Sequence, residues 1–170
     1  MYSIKFTYEE MIDSIKNISN QLSQSKFDPE IIISVNRGGC IPGIYLSHYK
    51  DKPHEAISIQ FRNSDKGPNT KSIEKKIKNY KSVLIIDDIN DSGRTISFIK
   101  ELCKKIHTEV HYAVLVNNLK SSVGVEYYGK TIDSKPDDSW YIFPWENWWK
   151  LNENIFKFKE SNKAFDLMKS

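Results

Sequence analysis

The sequence predicts an α/β fold, a mainly parallel twisted sheet flanked by helices. Two observations carry this. An apolar, largely β-branched run leads into a polar, glycine-containing loop and then into helix. The chain does this at Ile31–Val35 and again at Val83–Ile86. Runs of that kind suit central parallel strands covered on both faces. Strand-like runs also alternate with helical patterns along the chain, the signature of a parallel sheet with crossover helices.

Residues 7–24 read as an amphipathic helix. Thr7 and Glu10 are spaced for a capping box, and Met11, Ile15, Ile18 and Leu22 give the apolar stripe. Asp28-Pro29 marks a turn before the strand Ile31–Val35. That strand ends in Asn36-Arg37-Gly38-Gly39-Cys40-Ile41-Pro42-Gly43, with helix from Ile44 to Tyr49. Arg37 brings charge to the strand's carboxyl end and the two glycines bring accessible amides, so the loop is a candidate anion site. Taken alone, Arg-Gly-Gly also suits a plain turn. Ala56–Phe61 is a third strand. From Arg62 to Tyr80 the chain turns polar and lysine-rich, which suits a solvated connection or a lid over an active site.

The stretch Val83–Thr95 is the most informative. Four apolar residues run into Asp87 and Asp88 at the end of the strand, where burial makes carboxylates costly. Ser92, Gly93, Arg94 and Thr95 lie where backbone amides open toward the N-terminus of a helix carrying Ile96, Ile99, Leu102, Cys103 and Ile106. Free amides and the helix dipole together make an anion site. Carboxylates beside such a cradle suit sugar hydroxyls or a divalent cation with an oxygen-rich shell. A ligand with phosphate, ribose and magnesium meets every one of these features. The plain alternative is an ordinary helix capped by Asp91 or Ser92.

Val110–Val116 is a further strand, followed by Asn117-Asn118-Leu119-Lys120 and, later, by the aromatic run Trp140-Tyr141-Ile142-Phe143-Pro144-Trp145-Glu146. Phe143 and Trp145 suit a small aromatic core. Trp140 follows a polar turn and suits stacking on a flat heterocycle. The tail, with Trp148, Trp149, Phe156, Phe158 and Phe165, reads as helix packed on the core or on a second subunit.

Composition narrows the function classes. A formal net charge of +3 gives no strong electrostatic case for nucleic acid. No apolar run approaches a membrane span. Two cysteines, Cys40 and Cys103, make no disulfide framework, and the first residues lack the regions of a secretory signal. The expectation is one cytoplasmic domain, residues 1–170, with a lid over about 62–80 and a hood and tail over about 117–170.

Ile85-Ile86-Asp87-Asp88-Ile89-Asn90-Asp91-Ser92-Gly93-Arg94-Thr95 resembles the phosphoribosyl-pyrophosphate (PRPP) motif of type I phosphoribosyltransferases. Arg37-Gly38-Gly39 with its following proline is similar to their pyrophosphate loop, with Asn36 where serine is common. Asp-Ser-Trp-x-x-Phe-Pro-Trp-Glu resembles the hood of the xanthine/guanine/hypoxanthine members. The resemblance covers about residues 30–146. It implies transfer of a phosphoribosyl group from PRPP to a 6-oxopurine, releasing pyrophosphate, with Mg2+ as cofactor. It implies that Asp87 and Asp88 hold the ribose and, directly or through water, the metal. It makes Asp91 the general acid/base, Asp91 to Thr95 the 5′-phosphate cradle, and Arg37, Gly38 and Gly39 the pyrophosphate loop. On the base it implies stacking by Trp140, backbone contacts near Tyr141 and a 6-oxo donor at Lys120. In that family the peptide bond before the arginine is often cis, and a flexible loop follows the third strand. A homo-oligomer, dimer or tetramer, is expected. Two other readings stay open at this point: an enzyme of the same fold acting on another base, and a PRPP- or nucleotide-sensing regulator.

Overall fold

The computed structural model describes residues 2–59, 68–135, 139–146, 148 and 149. The elements run β1 (Tyr2–Lys5), α1 (Tyr8–Gln24), β2 (Ile31–Asn36), α2 (Cys40–Lys50), β3 (His54–Ser58), α3 (Thr70–Ile77), β4 (Ser82–Asn90), α4 (Arg94–Cys103), β5 (Glu109–Asn118), β6 (Tyr127–Ile132) and β7 (Ser139–Ile142). Five strands form one sheet in the order β3-β2-β4-β5-β6, and every neighbouring pair is parallel. From β2 the chain steps outward one way to β3, then returns to β4 and builds outward the other way. The reversal leaves a crevice beyond the carboxyl ends of β2 and β4, where ligands bind in open α/β sheets.

The apolar runs lie where the sequence puts them. Ile31, Ile32, Ile33, Val83, Leu84, Ile85 and Ile86 are fully buried, because helices cover both faces of the sheet. Met11, Ile15, Ile18 and Leu22 of α1 pack against Leu84, Ile86 and Leu115 on one face. Ile73 and Ile77 of α3 and Ile96 and Ile99 of α4 pack against Ile33, Ile85 and Tyr112 on the other. Truncating one such isoleucine to alanine costs about 2–5 kcal/mol. Thr7 caps α1, and its reciprocal bond with Glu10 completes the capping box.

Several boundaries differ from the sequence reading, each for a physical reason. α2 begins at Cys40, not Ile44, because proline is tolerated in a helix's first turn and Pro42 sits there. β3 starts two residues early and ends at Ser58; residues 60 and 61 of the expected strand lie outside the described residues. β4 runs past Ile86 to Asn90, because β5 stays beside it and pairs Ile89 with Val116 and Asn90 with Asn117. α4 ends at Cys103, and Ile106 packs from beyond it. The stretch 62–80 is not a single loop. Asn69 caps α3, and Ile73 and Ile77, one helical turn apart, anchor it in the core among its lysines. The part of the expected lid at 62–67 lies outside the described residues.

The aromatic hood has an unexpected partner. β1 pairs with β7 in a separate parallel ribbon, Ile4 beside Tyr141. Phe6 then stacks obliquely on Phe143, which is 2% exposed, and Phe143 stacks on Trp145 at 4.9 Å between ring centres. The preference of Phe143 and Trp145 for an aromatic core therefore holds. Trp148 and Trp149 are exposed, and the rest of the expected tail helix lies outside the described residues. Cys40 and Cys103 are both free thiols. No helix among the described residues is long and apolar enough to cross a membrane.

Candidate active site

A cleft of about 370 Å³ opens beyond the end of β4, lined by Asp87 to Ile96 on one side and by Trp140, Tyr141, Phe143 and Glu146 on the other. The phosphate side is built from backbone. Gly93 takes φ 85°, a conformation that favours glycine, and turns the chain into α4. The Ser121 and Ser122 hydroxyls and Val123 occupy the space a side chain at Gly93 would need. Ser122 Oγ also donates to the Ser92 carbonyl at 2.9 Å, so the loop after β5 clamps the cradle.

The helix ends differ in a telling way. α1 and α3 are capped by their own side chains, Thr7 and Asn69. α2 and α4 begin after Gly39 and Gly93 with no side-chain cap. The first amides of a helix have no partner within it. The two helices whose N-cap residue supplies no side-chain cap are the two that start from the crevice, after β2 and β4. The N-cap of α4 is Gly93 rather than Asp91 or Ser92, and Ser92 Oγ accepts from the Arg94 amide only at a long 3.5 Å.

The two loops meet at one point. A Cβ on Gly38 would overlap the Asp88 carboxylate, and one on Gly39 would overlap the Ile86 carbonyl and come within 2.9 Å of Asp87 Cα. Glycines at 38 and 39 are thus what lets the β2 loop lie directly on the end of β4. The Asn36–Arg37 peptide bond is cis. Arg37 is exposed beside the crevice and is not part of the cleft's lining.

Asp87 is buried, 8% exposed. Burial, then the neighbouring Asp88 charge, raises its carboxyl well above the usual range. Asp88 is pushed up to about 6, first by burial, with Glu146 adding repulsion, while the Ile89 amide and Asp87 hold it down. Carboxylates gathered in a shielded cleft are unfavourable unless a ligand or cation answers them. No group of three or more His, Cys, Asp or Glu side chains among the described residues could hold a metal. Magnesium suits such a site when substrate phosphates complete its shell, since it commonly takes only one or two carboxylates from protein.

Asp91 lines the cleft and accepts a 2.8 Å hydrogen bond from Asn118 Nδ2. Asn90 Nδ2 donates to Asn117 Oδ1 and to the Val123 carbonyl, both at 2.8 Å. The asparagines after Val116, which the sequence reading treats only as part of a loop, are buried ends of β5 that hold Asn90 and Asp91. Their signal was two amide side chains at the carboxyl end of an apolar strand. Glu146 was also passed over, although it closes the quoted hood motif.

A family model, the phosphoribosyl transferase domain, matches residues 6–150. The chain belongs to this family. It is a type I phosphoribosyltransferase, and the stretch that resembles the family's PRPP motif lines one side of the cleft. Among curated relatives, the xanthine-guanine phosphoribosyltransferase of Cereibacter sphaeroides is 25% identical over 120 residues, 68% of each chain. Among solved structures, the purine phosphoribosyltransferase from Pyrococcus horikoshii is 28% identical with a TM-score of 0.67, covering 86% of this chain and 96% of that one. The xanthine-guanine-hypoxanthine phosphoribosyltransferase of Helicobacter pylori shares the fold at a TM-score of 0.69 and 19% identity, over 90% of this chain and 99% of its own.

On the other side of the phosphoribosyltransferase cleft, Trp140 is half-exposed and Tyr141 lies beside it on β7. The structure does not bring Lys120 into this lining. Lys120 sits past the end of β5 rather than on it, because the strand continues through Asn118. Its ammonium is 3.0 Å from Asp133, and both side chains are more than half exposed.

Proposed function

We propose that the protein transfers the 5-phosphoribosyl group of PRPP to a 6-oxopurine, giving a nucleoside monophosphate and pyrophosphate. The observation that carries the reading is the close approach of Gly38 to the Asp88 carboxylate, which supports a pyrophosphate loop and a ribose-binding acid acting together at one point of the crevice. A base stacked on Trp140 then lies across the cleft from Asp91. The Xanthine-guanine relatives and the purine enzyme of similar fold support a purine acceptor.

In this reading the amides of Ser92 to Thr95 and their hydroxyls hold the 5′-phosphate. Asp87 and Asp88 accept from the ribose hydroxyls and, directly or through water, hold a magnesium ion. Magnesium, when bound, neutralises charge on the pyrophosphate as it leaves. Arg37, Gly38 and Gly39 hold that pyrophosphate. The bond from the ribose anomeric carbon to pyrophosphate breaks, and the bond to the purine ring nitrogen forms, through a ribosyl cation with little bonding to either. Asp91 faces N7 of the base as general acid/base. Trp140 stacks on the ring, the backbone at Tyr141 reads one edge, and Lys120 donates to the 6-oxo group after leaving Asp133. The site works in the cytoplasm and in a dimer or tetramer.

The test is purified protein with magnesium, PRPP and guanine, hypoxanthine, xanthine or adenine, followed by pyrophosphate release. Turnover with one or more 6-oxopurines and not with adenine is expected. Preference for adenine overturns the base assignment, and full turnover in excess chelator overturns the role of the metal.

A further inference from the structure

Asn118 stands at the carboxyl end of β5 and is 1% exposed. Its carboxamide is hydrogen-bonded at both ends. Nδ2 donates to Asp91 Oδ1 at 2.8 Å and to the Ser134 carbonyl at 2.9 Å. Oδ1 accepts from the Lys120 amide at 3.1 Å. The orientation is set by these partners. Turning the amide over would face its oxygen to a carboxylate and a carbonyl, and its NH₂ to an N–H donor.

These partners belong to different parts of the site. Asp91 is on the loop between β4 and α4. Ser134 lies on the path from β6 to β7, the strand that carries Trp140. Lys120 opens the turn whose Ser122 clamps the phosphate cradle. A buried side chain that joined only two strands would serve the sheet. This one joins the acid at the reaction centre to the segments that bear the base and the phosphate.

We propose that Asn118 is the positioning residue for Asp91, fixing the carboxylate against the bound base through the Nδ2 hydrogen bond. The inference rests on the reading of Asp91 as general acid/base. Asp91 sits on a loop, and misplacement of a reacting group by about 1 Å can cost on the order of 10²-fold. A donor anchored in the central sheet removes that freedom. Asn118 itself touches no reacting atom in this scheme.

The test is a double-variant cycle on the full chain with Asn118→Asp and Asp91→Asn. Asn118→Asp keeps the shape and the oxygen that meets the Lys120 amide, but replaces the donor to Asp91 with a second acceptor. It should lower kcat about 10- to 100-fold while the KM for PRPP stays within about threefold. In the Asp91→Asn background the same change should cost nothing further in kcat. There the bond to residue 91 can form in reverse, from the new amide, so thermal stability should recover in part, with the Ser134 carbonyl still without its donor, while kcat does not. Equal loss of kcat in both backgrounds would mean that Asn118 only supports the fold, and the inference fails. A normal kcat in Asn118→Asp overturns it as well. A normal kcat in Asp91→Asn has a different signature: it overturns the acid/base reading, and the positioning role goes with it. If Asn118→Asp does not fold, Asn118→Ser, which shortens the side chain without adding charge, enters the same cycle under the same criteria.

Discussion

At the end of the cleft proposed for phosphate, glycine backbone is closely packed by its neighbours. Gly39 lies against the Ile86 carbonyl and Asp87 Cα, Gly38 against the Asp88 carboxylate, and Gly93 under the Ser121 and Ser122 hydroxyls. At the end proposed for the base the surface is side chain: a half-exposed Trp140 on a four-residue strand, with Lys120 outside the cleft in an exposed pair with Asp133. The first end is close-packed and set by the central sheet. The second hangs on a two-stranded ribbon and on surface contacts. Phosphate and ribose are the invariant part of the donor, so rigidity there costs no selectivity. Base choice needs groups that differ between enzymes, and these are the side chains with the least support from the core.

Asp91 stands between the two ends, and its substitution is expected to have the largest effect. Asp91→Asn should lower kcat by about 10²- to 10⁴-fold, the usual range for general acid/base help, with little change in the KM for PRPP. Steady-state kinetics with both substrates varied would show this. A near-normal kcat would place Asp91 with the rigid end, as a loop-ordering residue only.

The phosphate end also predicts a cost that the free protein bears. Asp88 titrates at about 6 rather than its ordinary 3.8, chiefly through burial. A carboxyl whose folded pKa is raised binds its proton more tightly in the native state than in the unfolded one. The contribution of Asp88 to the stability of the ligand-free protein therefore falls as pH rises from about 4 to about 6 and levels off above that, and Asp87, raised too, adds a fall of the same sign. Asp88→Asn should remove the Asp88 share of this slope and stabilise the free protein near pH 7.5 by up to about 3 kcal/mol, while impairing use of PRPP. Urea unfolding of both proteins at about pH 4.5 and 7.5 measures it. A variant less stable than its parent at pH 7.5 would mean that Asp88 is held for the fold and not against it.

Removal of the stacking face at the base end comes next. Trp140→Ala should cost about 1–3 kcal/mol of base binding, read as a KM for the base raised roughly 5- to 150-fold with the KM for PRPP unchanged. Because Trp140 is half-exposed and outside both core clusters, the melting temperature should hardly move. A substantial loss of stability would show that the two ends share one core after all.

The same contrast explains what was legible in the sequence. The phosphate end is contiguous: strand, acids, glycine turn and helix follow one another from Val83 to Cys103, so local pattern alone places them. The sheet and its parallel sense follow from the repetition of that unit, whereas the strand order, with its switch between β2 and β4, comes only from the structure. What was missed depends on pairing between distant residues. The extension of β4 to Asn90 exists because β5 runs beside it. β1 is a strand only because β7 comes back to it, and nothing in Tyr2–Lys5 reports that partner. Asn118 holds Asp91 across a gap in sequence that no motif spans. α3 was readable from Asn69, Ile73 and Ile77, but its lysines hid the spacing.

The smallest expected effect concerns Lys120, where the base end is least built. Its pair with Asp133 is exposed on both sides, and such pairs contribute about 0–1 kcal/mol. Leaving Asp133 to meet a 6-oxo group would therefore cost at most that amount, about fivefold in apparent affinity. Two substitutions separate the possibilities. If Lys120 is the donor, Asp133→Ala frees it, and the KM for guanine or hypoxanthine should fall by up to about fivefold while stability stays within about 0.5 kcal/mol. Lys120→Ala should raise the KM for the same bases and leave PRPP use unchanged. A site built around a purine oxygen can lose much more than this when its buried donor is removed, but Lys120 is exposed in the free protein and the alanine leaves nothing unpaired behind it. Opposite shifts in the two variants would show a base end that assembles only when the base arrives. Identical kinetics in both would return Lys120 to the surface, and the 6-oxo donor would then have to come from the groups that already line the cleft.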